Sequence, residues 1–284
     1  MTPLNDLYNI YRAAIKRLKN AGCDSPEFDA QQLVDYCLGY NKTQLLLNSK
    51  AAVDEVKLMF FEECLRRRES REPLQYIIGM WGFHKFRFKT KPGVLIPRPE
   101  TELLPEFAVE SLRRIPGYTV FDLCCGTGCV GLTVAKLFPN IRVFCIDISD
   151  DAIALANENK EMLYVPNAFV VKGDVFEGFE ALKLPRPDMI LSNPPYIPTE
   201  EIKTLQPEIA FEPELALDGG EDGLVFYRAI AEKWFPYLNE GGSLALECGE
   251  GQMAPILRMF VDSASDAGVI RDAAGTDRVA VLRR

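Results

Sequence analysis

Histidine is almost absent from this 284-residue sequence, with His84 the only one. Among eight cysteines, at 23, 37, 64, 124, 125, 129, 145 and 248, there is no Cys-x-x-Cys pair. Nor is there the spacing of a disulfide framework, which fits a reducing compartment. The trio Cys124, Cys125 and Cys129 lacks a fourth ligand, so it reads as small apolar residues beside a buried strand, and no metal is expected. No run approaches the roughly 20 apolar residues of a membrane span. The first twenty residues are charged and amphipathic, without the apolar block of a secretory leader. Basic residues are outnumbered, 32 against 41 acidic, for a formal charge of −9. Counterion release then gives little affinity for DNA or RNA. There are no repeats or low-complexity tracts. These absences predict a cytoplasmic protein with no membrane or direct nucleic-acid partner. A monomer is expected, because no long exposed apolar helix stands out.

What is present is an ordinary globular composition, 48% hydrophobic and 26% charged, long enough for one core plus a smaller partner. Over 4–18, Leu4, Leu7, Tyr8, Tyr11, Ala14, Ile15 and Leu18 fall at helical spacing. Further helices are expected at 27–38 and 53–68, with a short one at 43–47 and no strand before 74. Residues 1–72 thus read as a small N-terminal helical bundle. Pro73, Gly79, Gly82, Pro92, Gly93, Pro97 and Pro99 then surround the alternating aromatics of Phe83-His84-Lys85-Phe86-Arg87-Phe88. Residues 73–100 are accordingly expected to be a linker with a β-hairpin. From 101 to 284 strands and helices alternate. Strands are expected at 119–124, 142–146, 168–171, 188–192 and 243–247, and helices at 129–138, 151–162, 224–238 and 253–261. Two last strands, 269–272 and 278–282, share a tight turn and should pair antiparallel. The fold class is α/β, a doubly wound seven-stranded mixed sheet of Rossmann-like type.

Phe121-Asp122-Leu123-Cys124-Cys125-Gly126-Thr127-Gly128 ends the first of these strands and opens a helix. Ligands of doubly wound sheets bind at such turns. Asp147 ends the next strand, where an acid can accept both hydroxyls of a ribose. Gly126-Thr127-Gly128-Cys129-Val130-Gly131 is also a literal G-x-G-x-x-G, so a nucleoside cofactor is indicated without deciding which. Gly173-Asp174-Val175 follows the third strand, either as a simple Gly-Asp turn or as a grip on an adenine amino group.

The fourth strand ends in Asn193-Pro194-Pro195-Tyr196, for which hydride transfer has no use. A planar NH2 nitrogen is a poor nucleophile because its lone pair is delocalised. To accept a methyl group it needs both N–H bonds held and the lone pair turned toward the donor. The Asn193 side-chain oxygen and the Pro194 carbonyl are two fixed acceptors, and proline makes the turn rigid. Tyr196 offers a flat face to a planar group. Catalysis is then mainly orientation, and no histidine of this domain is needed as a base.

Over most of its length the chain resembles the protein release-factor glutamine methyltransferases, the PrmC/HemK family. The resemblance runs through Pro73-Leu74-Gln75-Tyr76-Ile77-Ile78-Gly79 and Val94-Leu95-Ile96-Pro97-Arg98-Pro99-Glu100-Thr101-Glu102. It continues in Asp147-Ile148-Ser149, Ser192-Asn193-Pro194-Pro195-Tyr196-Ile197, Asp218-Gly219-Gly220-Glu221-Asp222-Gly223-Leu224 and Ala274-Gly275-Thr276-Asp277-Arg278-Val279. Asn-Pro-Pro-Tyr is shared with DNA adenine methyltransferases; the Ile-Pro-Arg-Pro-Glu-Thr-Glu run joined to a helical domain is more specific. The resemblance implies a class I methyltransferase that uses S-adenosylmethionine, leaving S-adenosylhomocysteine. It would methylate N5 of the glutamine in the Gly-Gly-Gln loop of class I peptide chain release factors. Asn193, Pro194, Pro195 and Tyr196 would hold that glutamine, with Asn193, Pro194 and Tyr196 catalytic. Cys124, Cys125, Gly126, Thr127, Gly128, Asp147, Asp174, Val175 and Asn193 would line the cofactor. The helical domain and hairpin would help dock the release factor. Relatives usually carry glycine where this chain has Cys124.

Three features have two readings each. Arg98, Glu100 and Thr101 either approach the methionine end of the cofactor or form structural ion pairs. The acids Glu200, Glu201, Glu208, Glu212, Glu214 and Asp218 form either a lid or, more commonly for such runs, a solvated loop. Arg66-Arg67-Arg68 is either the polar end of a helix or a partner contact. Competing functions are a nucleic-acid adenine methyltransferase, an NAD-linked oxidoreductase and a silent scaffold.

Overall fold

Leu7, Ile10, Ala14 and Leu18 recur every three or four residues, and all four are buried along one face of the first helix, α1 (Leu7–Asn20). Asp6 caps it by accepting from the Asn9 N–H. In the computed structural model, which describes residues 6–112 and 118–284, four more helices follow. These are α2 (Pro26–Leu33), α3 (Lys42–Leu47), α4 (Glu55–Glu69) and α5 (Leu74–Ile78). The helix expected at 27–38 changes character part-way, since Val34–Leu38 is a π-helical turn ended by left-handed Gly39. Leu4, at the start of the first expected helix, lies outside the described residues. Helix α5 was not anticipated; its five residues lie in the Pro- and Gly-rich stretch and stop at left-handed Gly79.

The chain divides into two units, one of the first 79 residues together with Pro207–Phe211, the other Met80–Gln206 with Glu212–Arg284. Arg66, Arg67 and Arg68 stand in the last turn of α4, a polar helix end as expected, and Arg68 among them is buried. It donates to Asp29 at 2.8 Å and to Glu208 at 2.9 Å, and Arg71 also pairs with Glu208. Arg67 pairs with Glu72, and Arg66 with Glu63.

The larger unit opens with the expected hairpin, β1 (Met80–Phe83) and β2 (Phe86–Lys89). The hairpin packs as part of this unit: Phe83 and Phe88 meet edge to face and join Leu104, Ala108 and Leu112 in its core. Those last three belong to α6 (Leu103–Leu112), also unanticipated. Its Pro105 sits in the first turn, where no N–H is missed.

Then come β3 (Thr119–Leu123), α7 (Cys129–Leu137), β4 (Arg142–Asp147), α8 (Asp150–Leu163), β5 (Ala168–Lys172), β6 (Met189–Ser192) and the single turn α9 (Thr199–Ile202). They are followed by α10 (Val225–Lys233), β7 (Ser243–Glu247), α11 (Met253–Met259), β8 (Asp266–Arg271) and β9 (Asp277–Arg283). The helix expected to reach 238 stops at Lys233, because the Pro236 ring would meet the carbonyl one turn back; a 3-10 turn, Phe235–Tyr237, continues it. The seven-stranded sheet has the order β5-β4-β3-β6-β7-β9-β8. Strands β3 to β7 are parallel, and β9 and β8 form the antiparallel edge. The chain steps outward from β3 to β5 and then returns to β6 on the other side. That reversal opens a crevice beyond the carboxyl ends of β3 and β6.

Candidate active site

The loop after β3 is built from left-handed backbone. Cys124 has φ 57°, and Gly126 and Gly128 have φ 53° and 76°. A non-glycine residue there is strained, which is the physical reason glycine suits the position of Cys124. Helix α7 then lies close over the sheet: a Cβ on Gly131 would come within 2.6 Å of Cys145 Sγ and 3.0 Å of Asp122. Asp122 in return accepts from the Gly131 N–H at 2.8 Å, and burial pushes its carboxyl up to about 7. Cys125 and Cys129 are buried in the core beneath this loop. Among the described residues no three His, Cys, Asp or Glu side chains gather where a metal could be held.

Asp147, at the end of β4, stitches the loop to the sheet. Its Oδ2 accepts from Gly126 N–H at 2.8 Å and its Oδ1 from Ser149 N–H at 3.0 Å. Burial raises its pKa, and these backbone N–H groups oppose the rise. A carboxylate has about four lone-pair directions, so acceptor capacity remains for a ligand. Asp174 likewise turns one oxygen back to the Phe176 N–H at 2.7 Å.

These groups share one cleft, lined by Cys124, Cys125, Gly126, Thr127, Asp147, Asp174, Val175, Asn193 and Pro195. Gly128, Pro194 and Tyr196 do not line it. The cleft also takes in apolar side chains beyond the expected site residues. Val94 and Ile96 form one wall, and Ile148, Phe176, Leu215 and Phe226 are others. Ile148, Phe176 and Leu215 are 44%, 38% and 57% exposed, which marks apolar surface that a ligand would cover. The signal for Ile148 was in the sequence, as an apolar residue directly after the strand-ending acid.

Asn193 leaves β6 and donates from Nδ2 to the hydroxyl of Thr101 at 3.1 Å. Thr101 is buried, as is Glu247, the last residue of β7. Burial pushes the Glu247 carboxyl up to about 7. Arg98 forms a structural ion pair, and part of the acidic stretch is engaged as well. Arg98 pairs with buried Glu212, which also accepts from Ile96 N–H. Asp218 accepts from the Thr199 hydroxyl, while Glu200 and Glu201 are exposed.

Behind the cleft the Asn-Pro-Pro-Tyr turn is gripped by its main chain. Gln252 donates to the Tyr196 carbonyl at 2.8 Å, and Ile197 N–H and the Ile197 carbonyl bridge to Leu217 and Gly219. Gly223 has φ 71°, and a Cβ there would stand 2.4 Å from the Tyr196 carbonyl oxygen.

Two family models match the chain: the PrmC N-terminal domain over residues 9–79 and the methyltransferase small domain over 85–232. The release factor glutamine methyltransferase of Thermodesulfovibrio yellowstonii is 39% identical over 260 residues, 90% of this chain and 92% of that one. That of Geobacter sulfurreducens is also 39% identical, covering 92% of this chain and 91% of that one. The chain belongs to the release factor glutamine methyltransferase family. Membership decides between the two meanings of the glycine pattern: this is a methyltransferase and not an oxidoreductase. A methyltransferase from Pyrococcus furiosus superposes with a TM-score of 0.51 at 18% identity, over 69% of this chain and 87% of that one, a likeness of fold. Among the described residues of this methyltransferase no helix is long and apolar enough to cross a membrane.

Proposed function

We propose that the protein transfers a methyl group from S-adenosylmethionine to N5 of the glutamine in the Gly-Gly-Gln motif of class I peptide chain release factors. The observation that carries this is the position of Asn193, at the end of β6 in the same cleft as the glycine loop and Asp147. Similarity to the release factor glutamine methyltransferases along nine-tenths of the chain directs the substrate to a glutamine and away from a nucleic-acid base.

The cleft suits this methyl donor. Its charged lining residues are Asp122, Asp147, Asp174 and Arg98, and Arg98 is already paired with Glu212. An acid-rich cleft attracts a sulfonium and repels a pyrophosphate. S-adenosylmethionine supplies a methyl group already activated by its sulfonium. Asp147 accepts the ribose hydroxyls, Ile148 and Val175 give apolar faces to the adenine, and Asp174 accepts from its amino group. Cys124, Cys125, Gly126, Thr127 and Gly128 bring main chain close to the donor. Asn193 and the Pro194 carbonyl take the two amide protons of the glutamine, Pro195 stiffens the turn, and Tyr196 packs on the amide plane. The work of the chain is to hold the nitrogen in line and exclude water.

Residues 1–72 act as the docking part and 73–100 as the linker with its hairpin, with catalysis in 101–284. The protein works as a monomer in the cytoplasm. Mass spectrometry of a class I release factor after incubation with the protein and donor tests the reading, with DNA and RNA assayed in parallel. One added methyl on the Gly-Gly-Gln glutamine is expected. Methylated nucleic acid beside an unmodified release factor would refute it.

A further inference from the structure

Residues 94–98 belong to no helix or strand, yet Val94 and Ile96 are buried. The Ile96 N–H therefore needs an acceptor that no ladder or helical turn supplies. That acceptor is the carboxylate of Glu212, 116 residues further on, at 3.0 Å. The other oxygen of the same carboxylate takes Nη2 of Arg98. The Glu212 side chain is only 2% exposed. An ionised carboxyl taken that far from water is costly unless its oxygens are engaged, and here both are.

The residues just after Glu212 are themselves part of the cleft. Pro213, Leu215 and Ala216 line it, as do Val94, Ile96 and Arg98. Glu214–Ala216 is a 3-10 turn, closed on itself by the bond from Leu217 N–H to the Glu214 carbonyl. One end of this short strap reaches the Asn-Pro-Pro-Tyr turn, since the Leu217 carbonyl accepts from Ile197 N–H. The other end is Glu212. We infer that Glu212 is a positioning residue for the transfer reaction. It fastens the strap of residues 212–217 to residues 94–98, so that these two walls hold the bound methyl donor between them. The inference rests on the reading of the cleft as an S-adenosylmethionine site given above. Leu215, the most exposed large apolar side chain of the lining, is carried on this strap, and a bound donor would cover it.

The ion pair has a second consequence. Among the described residues that line the cleft, Arg98 is the only cation. A free guanidinium beside a sulfonium would repel it, and Glu212 cancels that charge. Removing Glu212 thus acts twice, once by unfastening the strap and once by unmasking a cation. Both effects fall on departure more than on arrival: a ligand enters while the walls are apart and leaves only when they part again.

The test is the release rate of labelled S-adenosylmethionine from the full-length protein, chased with unlabelled donor well below the Tm of each variant. E212A, which removes both bonds, should release the donor roughly 10- to 100-fold faster than wild type. Its association rate should change by less than about threefold. E212Q keeps the shape and one acceptor oxygen, and should be about 3- to 30-fold faster than wild type; it carries the test if E212A does not fold. R98Q leaves the Ile96 bond in place and should lie between wild type and E212A. The double variant E212A/R98Q should be no faster than E212A, because the two residues share one interaction. A role confined to folding would lower Tm and leave the release rate alone. Release from E212A and E212Q within about threefold of wild type therefore overturns the inference. So does a double variant that loses donor much faster than E212A, since Arg98 would then grip the donor itself. A wild type that binds no S-adenosylmethionine overturns instead the reading of the cleft.

Discussion

Replacing Asp147 with Asn separates two jobs that one carboxylate does. In the free protein its two oxygens take the N–H groups of Gly126 and Ser149. Asn has one oxygen, so one of these bonds is lost and an NH2 is turned toward an N–H. A hydrogen bond to a charged group contributes about 1.5–3 kcal/mol. Against this stands burial, which already raises the Asp147 pKa despite those bonds, so removing the charge returns much of the loss. The net effect on folding should be about 1 kcal/mol, or roughly 2–4 °C in Tm for a chain of this size class. Donor binding has no such offset. The ribose hydroxyls need the acceptor capacity that remains, and losing one bond to a charged acceptor weakens affinity about 10- to 100-fold. Calorimetric titration with S-adenosylmethionine and thermal unfolding of D147N read the two effects separately, and the rate at saturating donor should change by less than about threefold. If Kd moved less than about threefold while Tm fell by more than about 10 °C, Asp147 would be a loop anchor only.

The same geometry makes three further predictions. N193A should lose roughly 100- to 1,000-fold in the single-turnover rate with donor Kd nearly unchanged; a rate within about threefold of wild type would show that Asn193 does not hold the nucleophile. G223A should unfold at lower urea, by about 2–4 kcal/mol, because its Cβ would press on the Tyr196 carbonyl at 2.4 Å in a left-handed backbone, and an unshifted midpoint would mean the turn gives way freely. Asp122 and Glu247 both have folded-state pKa values raised by burial to about 7. Each keeps its proton on folding where the unfolded chain has lost it, so its stabilising contribution is full below about pH 4 and disappears as pH rises through about 7. Tm should therefore fall from about pH 6 to 8 in the wild type and fall less in D122N/E247Q; equal slopes would argue that neither group is buried as described.

The sheet was legible because its strands are short apolar runs separated by helical periods, and β3, β4 and β7 stand within a residue of their expected ends. The glycine loop, Asp147 and Asn193 were legible for another reason: each follows directly on a strand, and a doubly wound topology sends such positions to one crevice. What escaped reading had no local pattern. Helix α5 is a single turn among prolines and glycines. Glu247 looks like the last letter of an apolar strand, yet it is a carboxyl only 1% exposed. Arg68 belongs to the basic end of α4 as expected, but its carboxylates Asp29 and Glu208 come from distant parts of the chain. The Tyr196 carbonyl accepts from Gln252, a contact no spacing foretells.

The five residues Pro207–Phe211 fold with the N-terminal helices although they follow the Asn-Pro-Pro-Tyr turn in sequence. The helical unit is therefore not a detachable module. A protein cut after Gly79 would leave Glu208 without Arg68 and Arg71. Recombination at a single crossover would do the same to a chimera. An exchange of the helical part that keeps these pairs has to carry Pro207–Phe211 along with the first 79 residues.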